Sequence, residues 1–416
     1  MNQVILINVS GSPPLVKFAQ RAMSSTWGDR SPLWAHYGAY EEKIKKLGSL
    51  YNQKQESLLS KLGGSDLFKM KGMSLSLSRE FRFFKGKVIG VQWAPKGGND
   101  DLGNRIVASD QSGQVLIINA KKGSRKLGYN LTGPSRFVQA VALHPTKDIV
   151  VSGGMDNTIS LAVPEAPDDP INPFMTLTKQ WAGEGPYGHD GMISSLRFVS
   201  ETRFLSTGGD GEVKLWDVER GDNECVATLY GHTAEAASIT FPSDNPELMI
   251  FGTCSNDTTC KLWDLRTNKC THTFHSADKL TACDFFPNGN AIAAGGQGQT
   301  TFFWDVRSIK CVGTFVRNHM KVTGVAFSKS GRALFVSHED GRIIAWDTLG
   351  EQGNQRYAIK CNAHFHPRDP KDEKKGADVS SQIAYLGMKP DGEFLASAAF
   401  DGTVKIHGGL KAAGPQ

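Results

Sequence analysis

A repeat constrains the fold of this chain more than any other feature of its sequence. Trp-Asp dipeptides recur about 40 to 47 residues apart, and each closes a segment of alternating residues that is typical of a β-strand. A hydrophobic strand and a turn precede each of these segments. The dipeptides are Trp216-Asp217, Trp263-Asp264, Trp304-Asp305 and Trp346-Asp347. Because a unit of this size cannot bury its apolar faces alone, the sequence predicts an array of similar sheets packed against each other.

Three degenerate copies share the register of these four. Their substitutes for Trp and Asp are Ile118 and Asn119, Ala162 and Val163, and His407 and Gly408. Seven four-stranded units packed radially close into a ring. The sequence therefore predicts an all-β fold, a seven-bladed WD40 β-propeller over residues 65–408, preceded by an N-terminal α-helix that is described below.

Closing such a ring requires a strand from the far end of the chain in the last sheet. Our candidate for this outer strand lies just before the first copy and contains Met73, Leu75, Leu77, Phe81, Phe83 and Phe84. Two other stretches, residues 164–187 and 363–379, are predicted to loop out, because prolines and clustered charges do not suit a ladder strand. In the second stretch we expect His364 and His366 to be solvated rather than to bind a metal.

An aspartate is expected six residues before each Trp position, where its carboxylate accepts hydrogen bonds from the tight turn between two strands. The pattern holds in five copies and fails at Ser112 and Gly298. The five aspartates are Asp156, Asp210, Asp257, Asp340 and Asp401.

Histidines recur in the same way. His189 and His232 belong to Gly-His dipeptides that open two copies, and His275 and His319 lie near the same phase in two others. Such a histidine would connect the aspartate to the tryptophan through a hydroxyl. An Asp, His and Ser set also resembles a hydrolase triad, but its recurrence in buried positions favours a structural role. A central channel could hold an enzyme site, yet no convergent carboxylates, arginine cluster or metal set stands out, so we predict a binding protein without a cofactor.

Residues 38–64 favour an amphipathic helix, since Glu, Lys, Gln and Leu dominate and two glycines supply a stop signal at the end. A closed propeller cannot bury the apolar stripe of this helix inside its ring, so we expect a coiled coil with a partner chain. Packing on the propeller's own flank and self-dimerisation are the alternatives. Residues 1–37 are predicted to be a disordered extension, and residues 409–416 a tail. The stripe consists of Ile44, Leu47, Tyr51, Leu58 and Leu62.

Composition argues against several other classes of protein. A net charge of +5, from 47 basic and 42 acidic residues, is too weak and too mixed to indicate a nucleic-acid groove. The seven cysteines form no pair at metal-binding spacing, and free thiols in a reducing compartment fit them best. The longest apolar run near the start, residues 4–9, is far shorter than the ~20 residues that a bilayer requires, so we expect a soluble protein.

Specific segments resemble the beta subunits of heterotrimeric G proteins. FFPNGNAIAAGG at residues 285–296, VAFSKSGRALFV at residues 325–336 and GGMDNTISL in the second copy are similar to stretches of that family, and the likeness covers roughly residues 40–408. The resemblance implies a constitutive complex with a gamma subunit, whose helix would pair with the predicted helix. It also implies that the narrow top face of the propeller binds the GDP form of an alpha subunit, and binds effectors after alpha leaves.

The resemblance further implies a location in the cytoplasm, at the inner face of the plasma membrane and within a complex. No CaaX box ends the sequence, so any lipid anchor is expected to come from a partner. The alternative is a generic WD scaffold, such as a kinase-receptor or ubiquitin-ligase adaptor. Such scaffolds often lack a coiled-coil helix directly before the first blade, so the predicted helix discriminates between the two.

The family's alpha-facing positions can be carried over through the repeat register. Lys87, Asn157 and Glu235 match the family in residue type, whereas Ile89 and Met192 replace aromatic residues. One extra residue near His275 blurs the register, so neither Asp278 nor Lys279 is assigned. The full set is Lys87, Ile89, Arg136, Phe137, Met155, Asn157, Met192, Glu235, Asn256 and Phe400.

Overall fold

A computed structural model describes ten segments of the chain, and these contain strands and turns. Among the described residues no helix is long and apolar enough to span a membrane. The helix predicted for residues 38–64 and the extension before it lie outside the described part. The described segments are residues 75–95, 100–131, 137–165, 174–181, 187–220, 224–244, 249–316, 320–348, 357–366 and 379–408.

Seven antiparallel four-stranded sheets form the propeller, as the repeat predicts. Blades are numbered in chain order, and in each blade the first strand lies innermost. The first strand of the chain, β1 (Ser76–Phe81), belongs to the last blade. Blades 1 to 3 contain, in this order, β2 (Val88–Trp93), β3 (Arg105–Asp110), β4 (Gln114–Asn119), β5 (Ser124–Asn130); β6 (Val138–Leu143), β7 (Val150–Gly154), β8 (Ile159–Pro164), β9 (Met175–Trp181); β10 (Ile193–Phe198), β11 (Arg203–Gly208), β12 (Val213–Asp217), β13 (Ala227–Leu229).

The second half of the ring repeats this order. Blades 4 to 6 contain β14 (Ala236–Thr240), β15 (Ile250–Ser255), β16 (Thr259–Asp264), β17 (Lys269–His275); β18 (Leu280–Phe285), β19 (Ala291–Gly296), β20 (Thr300–Asp305), β21 (Lys310–Val316); β22 (Val322–Phe327), β23 (Ala333–His338), β24 (Arg342–Asp347), β25 (Tyr357–Asn362). Blade 7 contains β28 (Ile383–Met388), β29 (Leu395–Ala399), β30 (Val404–Gly408) and β1 (Ser76–Phe81), and a short hairpin before it pairs β26 (Phe365–His366) with β27 (Val379–Ser380).

The ring closes through the predicted strand. β1 pairs antiparallel with β30, with Ser76 opposite Gly408 and Phe81 opposite Val404. This confirms the prediction that the segment before the first copy supplies the outer strand of blade 7. The buried side chains of this segment are Phe81, at the end of β1, and Phe84, just after it, and both belong to an apolar cluster that joins blades 7 and 1.

Apolar side chains between neighbouring blades form the core. Between blades 2 and 3, the Trp181 ring packs edge-on against Phe204, with ring centroids 5.3 Å apart, and lies 5.8 Å from the Trp216 ring. All three side chains are buried. Each sheet thus covers the face of the next, and truncating such a tryptophan to alanine typically costs about 3–5 kcal/mol of folding free energy.

Both predicted loops contain ordered structure, which corrects the sequence prediction. Within residues 164–187, β9 pairs with β8 as the outer strand of blade 2, since none of the prolines falls inside β9. Within residues 363–379, Ala363 and His364 are buried, and the backbone of β26 pairs with β27.

Candidate functional site

A four-residue hydrogen-bond chain crosses blade 3. His189 Nδ1 lies 2.8 Å from Asp210 Oδ2, His189 Nε2 lies 2.6 Å from Ser206 Oγ, and Trp216 Nε1 donates to Ser206 Oγ over 2.7 Å. A carboxylate can only accept, so His189 carries its proton on Nδ1 and accepts the Ser206 hydroxyl proton on Nε2. The pKa of Asp210 stays below its usual value, because these hydrogen bonds and the nearby histidine outweigh the opposing effect of burial.

Blade 4 repeats this chain with a threonine. His232 Nδ1 lies 2.9 Å from Asp257 Oδ2, and Thr253 Oγ1 lies 2.8 Å from both His232 Nε2 and Trp263 Nε1. Burial lowers the pKa of His232 despite its carboxylate partner, which keeps the ring neutral near pH 7. Burial raises the pKa of Asp257, but hydrogen bonds from Thr259, the Thr233 N–H and His232 prevail and bring it to about 2.

Blade 7 builds the same chain without a tryptophan. His364 Nδ1 lies 2.9 Å from Asp401 Oδ2, and Ser397 Oγ lies 3.0 Å from His364 Nε2 and 2.9 Å from His407 Nε2. His407 stands where the tryptophan would be and donates its Nε2–H in place of the indole. The expectation that His364 is solvated was wrong, because the charged stretch begins only after this buried residue.

The aspartates of the repeat all cap a turn. In each of the five expected copies, one carboxylate oxygen accepts a hydrogen bond from the backbone N–H two residues on, over 2.9 to 3.3 Å. Blade 1 uses Asp110 instead, which accepts from the N–H groups of Ser112 and Gln114 at 2.9 Å and of Gly86 at 3.2 Å. Sequence reasoning missed Asp110, because it lies two positions before the expected place.

Blade 5 departs in another way. A Cβ added at Gly298 would lie 1.9 Å from Asp278 Oδ2, so the carboxylate of Asp278 occupies the space of the missing aspartate. His275, which lies near the histidine phase in the sequence, is exposed at the end of β17. His319, the corresponding residue of blade 6, lies outside the described residues.

These Asp, His and Ser sets have triad spacing but no access to a substrate. Ser206 and His189 are buried, and the Ser206 oxygen also accepts the indole N–H of Trp216. The Ser206 hydroxyl donates to His189 and accepts from Trp216 inside the blade, where a substrate cannot reach it. These hydrogen bonds therefore stabilise the blade.

One backbone hydrogen bond recurs in all seven blades and defines a face. The residue before each inner strand accepts, through its carbonyl, from the N–H of the residue that follows the second strand, over 2.8 to 3.3 Å. Every inner strand also has a register irregularity after its first residue, which increases the local twist. We call these fourteen positions the ring face: Lys87 and Gln111, Phe137 and Met155, Met192 and Gly209, Glu235 and Asn256, Lys279 and Gln297, Lys321 and Glu339, and Gln382 and Phe400.

Seven of the ten residues carried over from the family occupy ring-face positions. Ile89 follows on the wall of the central channel, and Asn157 lies in the turn after β7 with a φ of 60°, in the left-handed region. Arg136 lies outside the described residues. The ring-face members are Lys87, Phe137, Met155, Met192, Glu235, Asn256 and Phe400.

The ring face has a polar sector, held by side-chain contacts, and an apolar sector. Lys87 Nζ lies 4.8 Å from the centre of the Phe400 ring, a cation–π distance. The Glu235 carboxylate accepts from Ser194 Oγ over 2.7 Å and from Asn256 Nδ2 over 2.9 Å. Met155 is 58% exposed, which leaves an apolar sector over blades 2 and 3.

Sequence reasoning missed the charged sector of the ring face over blades 5 and 6. Lys279 and Gln297 form the ring-face pair of blade 5, and Lys321 Nζ lies 3.8 Å from Glu339 Oε2 in blade 6. The sequence signal for these positions was their place directly before the inner strand, which is the same in all seven blades. It becomes visible in blade 5 once the extra residue near His275 is placed before β18.

A central channel of about 820 Å³ passes along the inner strands. On its wall, Asp284 accepts from Thr240 Oγ1 and the Phe327 N–H over 2.8 Å each, which links blades 4, 5 and 6. Burial raises the pKa of Asp284 to about 6, although these hydrogen bonds and the charge of Arg197 pull it down. Within the described part of the chain, no cluster of three or more His, Cys, Asp or Glu side chains is arranged to hold a metal.

A family model described as "WD domain, G-beta repeat" matches residues 125–161, 184–217, 223–264, 268–305, 309–347 and 377–407, just over half of the chain. Most of these matches begin in or near the outer strand of one blade and run to the third strand of the next. The inner three strands of blade 1, whose repeat is degenerate, lie outside them.

Curated proteins named as the beta subunit of a guanine nucleotide-binding protein are similar along most of this chain. The protein of Nicotiana plumbaginifolia is 30% identical over 339 residues, which cover 77% of this chain and 80% of the relative. That of Solanum tuberosum is 29% identical over 335 residues, with the same coverage. That of Zea mays is 27% identical over 396 residues, or 89% of this chain and 95% of the relative.

A double-mutant cycle tests whether the Asp278 carboxylate takes the place of the aspartate that blade 5 lacks at position 298. Gly298→Asp alone is expected to destabilise the protein by roughly 1–3 kcal/mol, because the new carboxylate meets that of Asp278. In the Asp278→Ala background the same change should be far less costly, since the new carboxylate takes the vacated place. Chemical denaturation of the two single variants and the double variant measures the coupling, and strictly additive effects would contradict this account.

Asp284 is expected to make stability depend on pH. Its pKa of about 6 in the folded state exceeds the ordinary 3.8, so the folded chain takes up this proton first. The contribution of Asp284 to the free energy of unfolding should therefore rise as pH falls from about 6 to about 4. Asp284→Asn should lack this component in denaturation curves, whereas Asp257→Asn should keep it, because the folded pKa of Asp257 is about 2. An equal slope in wild type and Asp284→Asn would refute the assignment.

Proposed function

The chain belongs to the WD-repeat family, and from this premise we propose that it acts as a beta subunit of a guanine nucleotide-binding protein. It would be a non-catalytic platform whose ring face binds the GDP form of an alpha subunit. The observation that carries this proposal is the ring face itself, which collects seven of the carried-over residues at equivalent positions of five blades. The similarity to the plant beta subunits supports it along most of the chain.

The chemistry of the ring face suits a protein partner. Met155, Phe137 and Met192 offer apolar anchors, while Lys87 and Glu235 bring opposite charges beside them. A few such anchors supply most of the affinity of a typical interface, and charged neighbours fix orientation. Glu235 is held by two hydrogen bonds, so little side-chain entropy is lost when a partner binds.

Signalling would then work by competition for one surface. An alpha subunit that covers the ring face excludes effectors, and its departure after GTP loading frees the face. The propeller need not change shape, because its seven sheets brace one another around a closed ring. The proposed location is the inner face of the plasma membrane, within a complex whose lipid anchor belongs to a partner.

The gamma subunit is proposed as the partner of the helix predicted for residues 38–64. A coiled coil would cover Ile44, Leu47 and Tyr51 together with Leu58 and Leu62, which the closed ring cannot bury.

The ring-face proposal predicts a large effect of two substitutions. Lys87→Glu combined with Phe137→Ala should weaken binding of a GDP-loaded alpha subunit by more than ~2 kcal/mol, about thirtyfold in Kd, because a cation and an aromatic anchor are lost together. Calorimetric titration of the chain, with its helical partner present, measures the change.

A matched control changes the same residue types elsewhere. Lys269→Glu with Phe174→Ala alters an exposed lysine of blade 4 and an exposed phenylalanine of blade 2. Both residues lie at the end of their blade that is opposite the ring face, so the affinity should stay unchanged. Equal affinity of the ring-face variant and the wild type would refute the proposed contact surface and leave the fold assignment unchanged.

Removing residues 1–64 tests the proposed gamma subunit. The full chain expressed alone should be poorly behaved and should be rescued by a small helical partner, whereas the truncated chain should no longer capture that partner. Size-exclusion chromatography with mass spectrometry of the co-purified proteins reads this out. Retention of every native partner at full affinity after the deletion would refute the beta-subunit function.

A further inference from the structure

We propose that a basic edge on blades 1 and 7 binds the anionic headgroups of a lipid bilayer. Four of its cations lie within six residues, in the turn between β4 and β5 and at the start of β5. The fifth comes from β1, the strand that closes the ring. The basic edge consists of Lys121, Lys122, Arg125, Lys126 and Arg79.

Two sheets bring these cations together. Arg79 belongs to blade 7, and its guanidinium lies against Gly123 in the turn of blade 1, where an added Cβ would be 2.6 Å from Arg79 Nη1. Gly123 also has a φ of +76°, so both its backbone conformation and the space around it require glycine. The convergence of cations 42 to 47 positions apart is thus built into the fold.

The charge of this edge is only partly compensated. Within the described residues, the carboxylates at ion-pair distance are Asp101, 2.6 Å from Lys122 Nζ, and Asp148, 2.6 Å from Lys126 Nζ. Asp148 is shared with the buried Arg105, whose guanidinium lies 2.8 Å away. Lys121, Arg125 and Arg79 are exposed, so the edge presents a net positive field to solvent.

The exposure of the edge favours a bilayer over a discrete anion. Its cations lie on an exposed turn and on the outermost strand of blade 7, whereas a site for a small anion is a concave pocket. Exposed leucines accompany the cations: Leu102, 39% exposed, lies beside the aspartate that pairs with Lys122, and Leu77, 53% exposed, lies two residues before Arg79. Cations interspersed with exposed apolar side chains are typical of surfaces that bind at the headgroup boundary.

The position of the basic edge leaves the ring face accessible. The β4–β5 turn lies at the end of blade 1 opposite Lys87, and a six-residue strand spans about 20 Å. A chain held by this edge would therefore keep its ring face away from the lipid. This inference does not depend on which protein occupies the ring face.

Vesicle sedimentation tests the proposal with the full chain, co-expressed with a helical partner that carries no lipid anchor. The wild type should sediment with phosphatidylcholine vesicles that contain phosphatidylserine, and not with phosphatidylcholine alone. Lys121→Glu with Arg125→Glu should lower the partition coefficient about tenfold or more, since each basic residue near an anionic surface contributes strongly. Binding should also fall steeply in about 1 M salt, where the Debye length is about 3 Å.

The control reverses two charges at the same end of other blades. Lys269→Glu with Lys310→Glu changes exposed lysines at the starts of β17 and β21 and should keep wild-type sedimentation. Equal losses in both variants would show a mere effect of net charge, and would overturn the proposal. Failure to bind phosphatidylserine vesicles, together with capture by polyglutamate, would instead assign the edge to an acidic protein. Thermal melts of both variants establish that each remains folded.

Discussion

Mutual covering of sheet faces is the constraint on which this molecule depends. A four-stranded antiparallel sheet with two apolar faces is unstable in water, and each blade here is covered on both sides only because the ring is closed. The aromatic cluster of Trp181, Phe204 and Trp216 shows how one blade's outer strand fills the face of the next. The ring face, the channel and the basic edge are all products of this packing, since each joins residues of several blades.

Hydrogen-bonded chains inside the blades pair the buried polar side chains, and different blades use different residues to do so. An Asp, a His and a hydroxyl recur in blades 3, 4 and 7, and the final donor is an indole in two of them and the His407 imidazole in the third. What is kept is a donor at one point in space, because a buried hydroxyl oxygen without its partner costs folding free energy. The identity of the side chain can change while the hydrogen bond stays.

The repeat made the fold predictable, and exceptions to the repeat limited the prediction of sites. Period and register suffice for seven blades, for the closing strand and for most ring-face positions. Asp110 and Asp278 escaped notice because each reaches the required point from a different sequence offset. His364 was misjudged because charged neighbours dominate the composition of its segment, although the chain turns into the blade first. Contacts such as Arg79 on Gly123 join residues that no local pattern relates, and only the folded ring reveals them.

The pairing of β1 with β30 carries a consequence for how the protein is made. Residues 76–81 leave the ribosome more than three hundred residues before their ladder partners at residues 404–408. During all that time blade 7 is missing and two sheet faces stay exposed, and such long-range pairing is intrinsically slow and prone to aggregation. Chaperone assistance during synthesis would shield this interval, and the last strand to emerge would act as the latch that ends it.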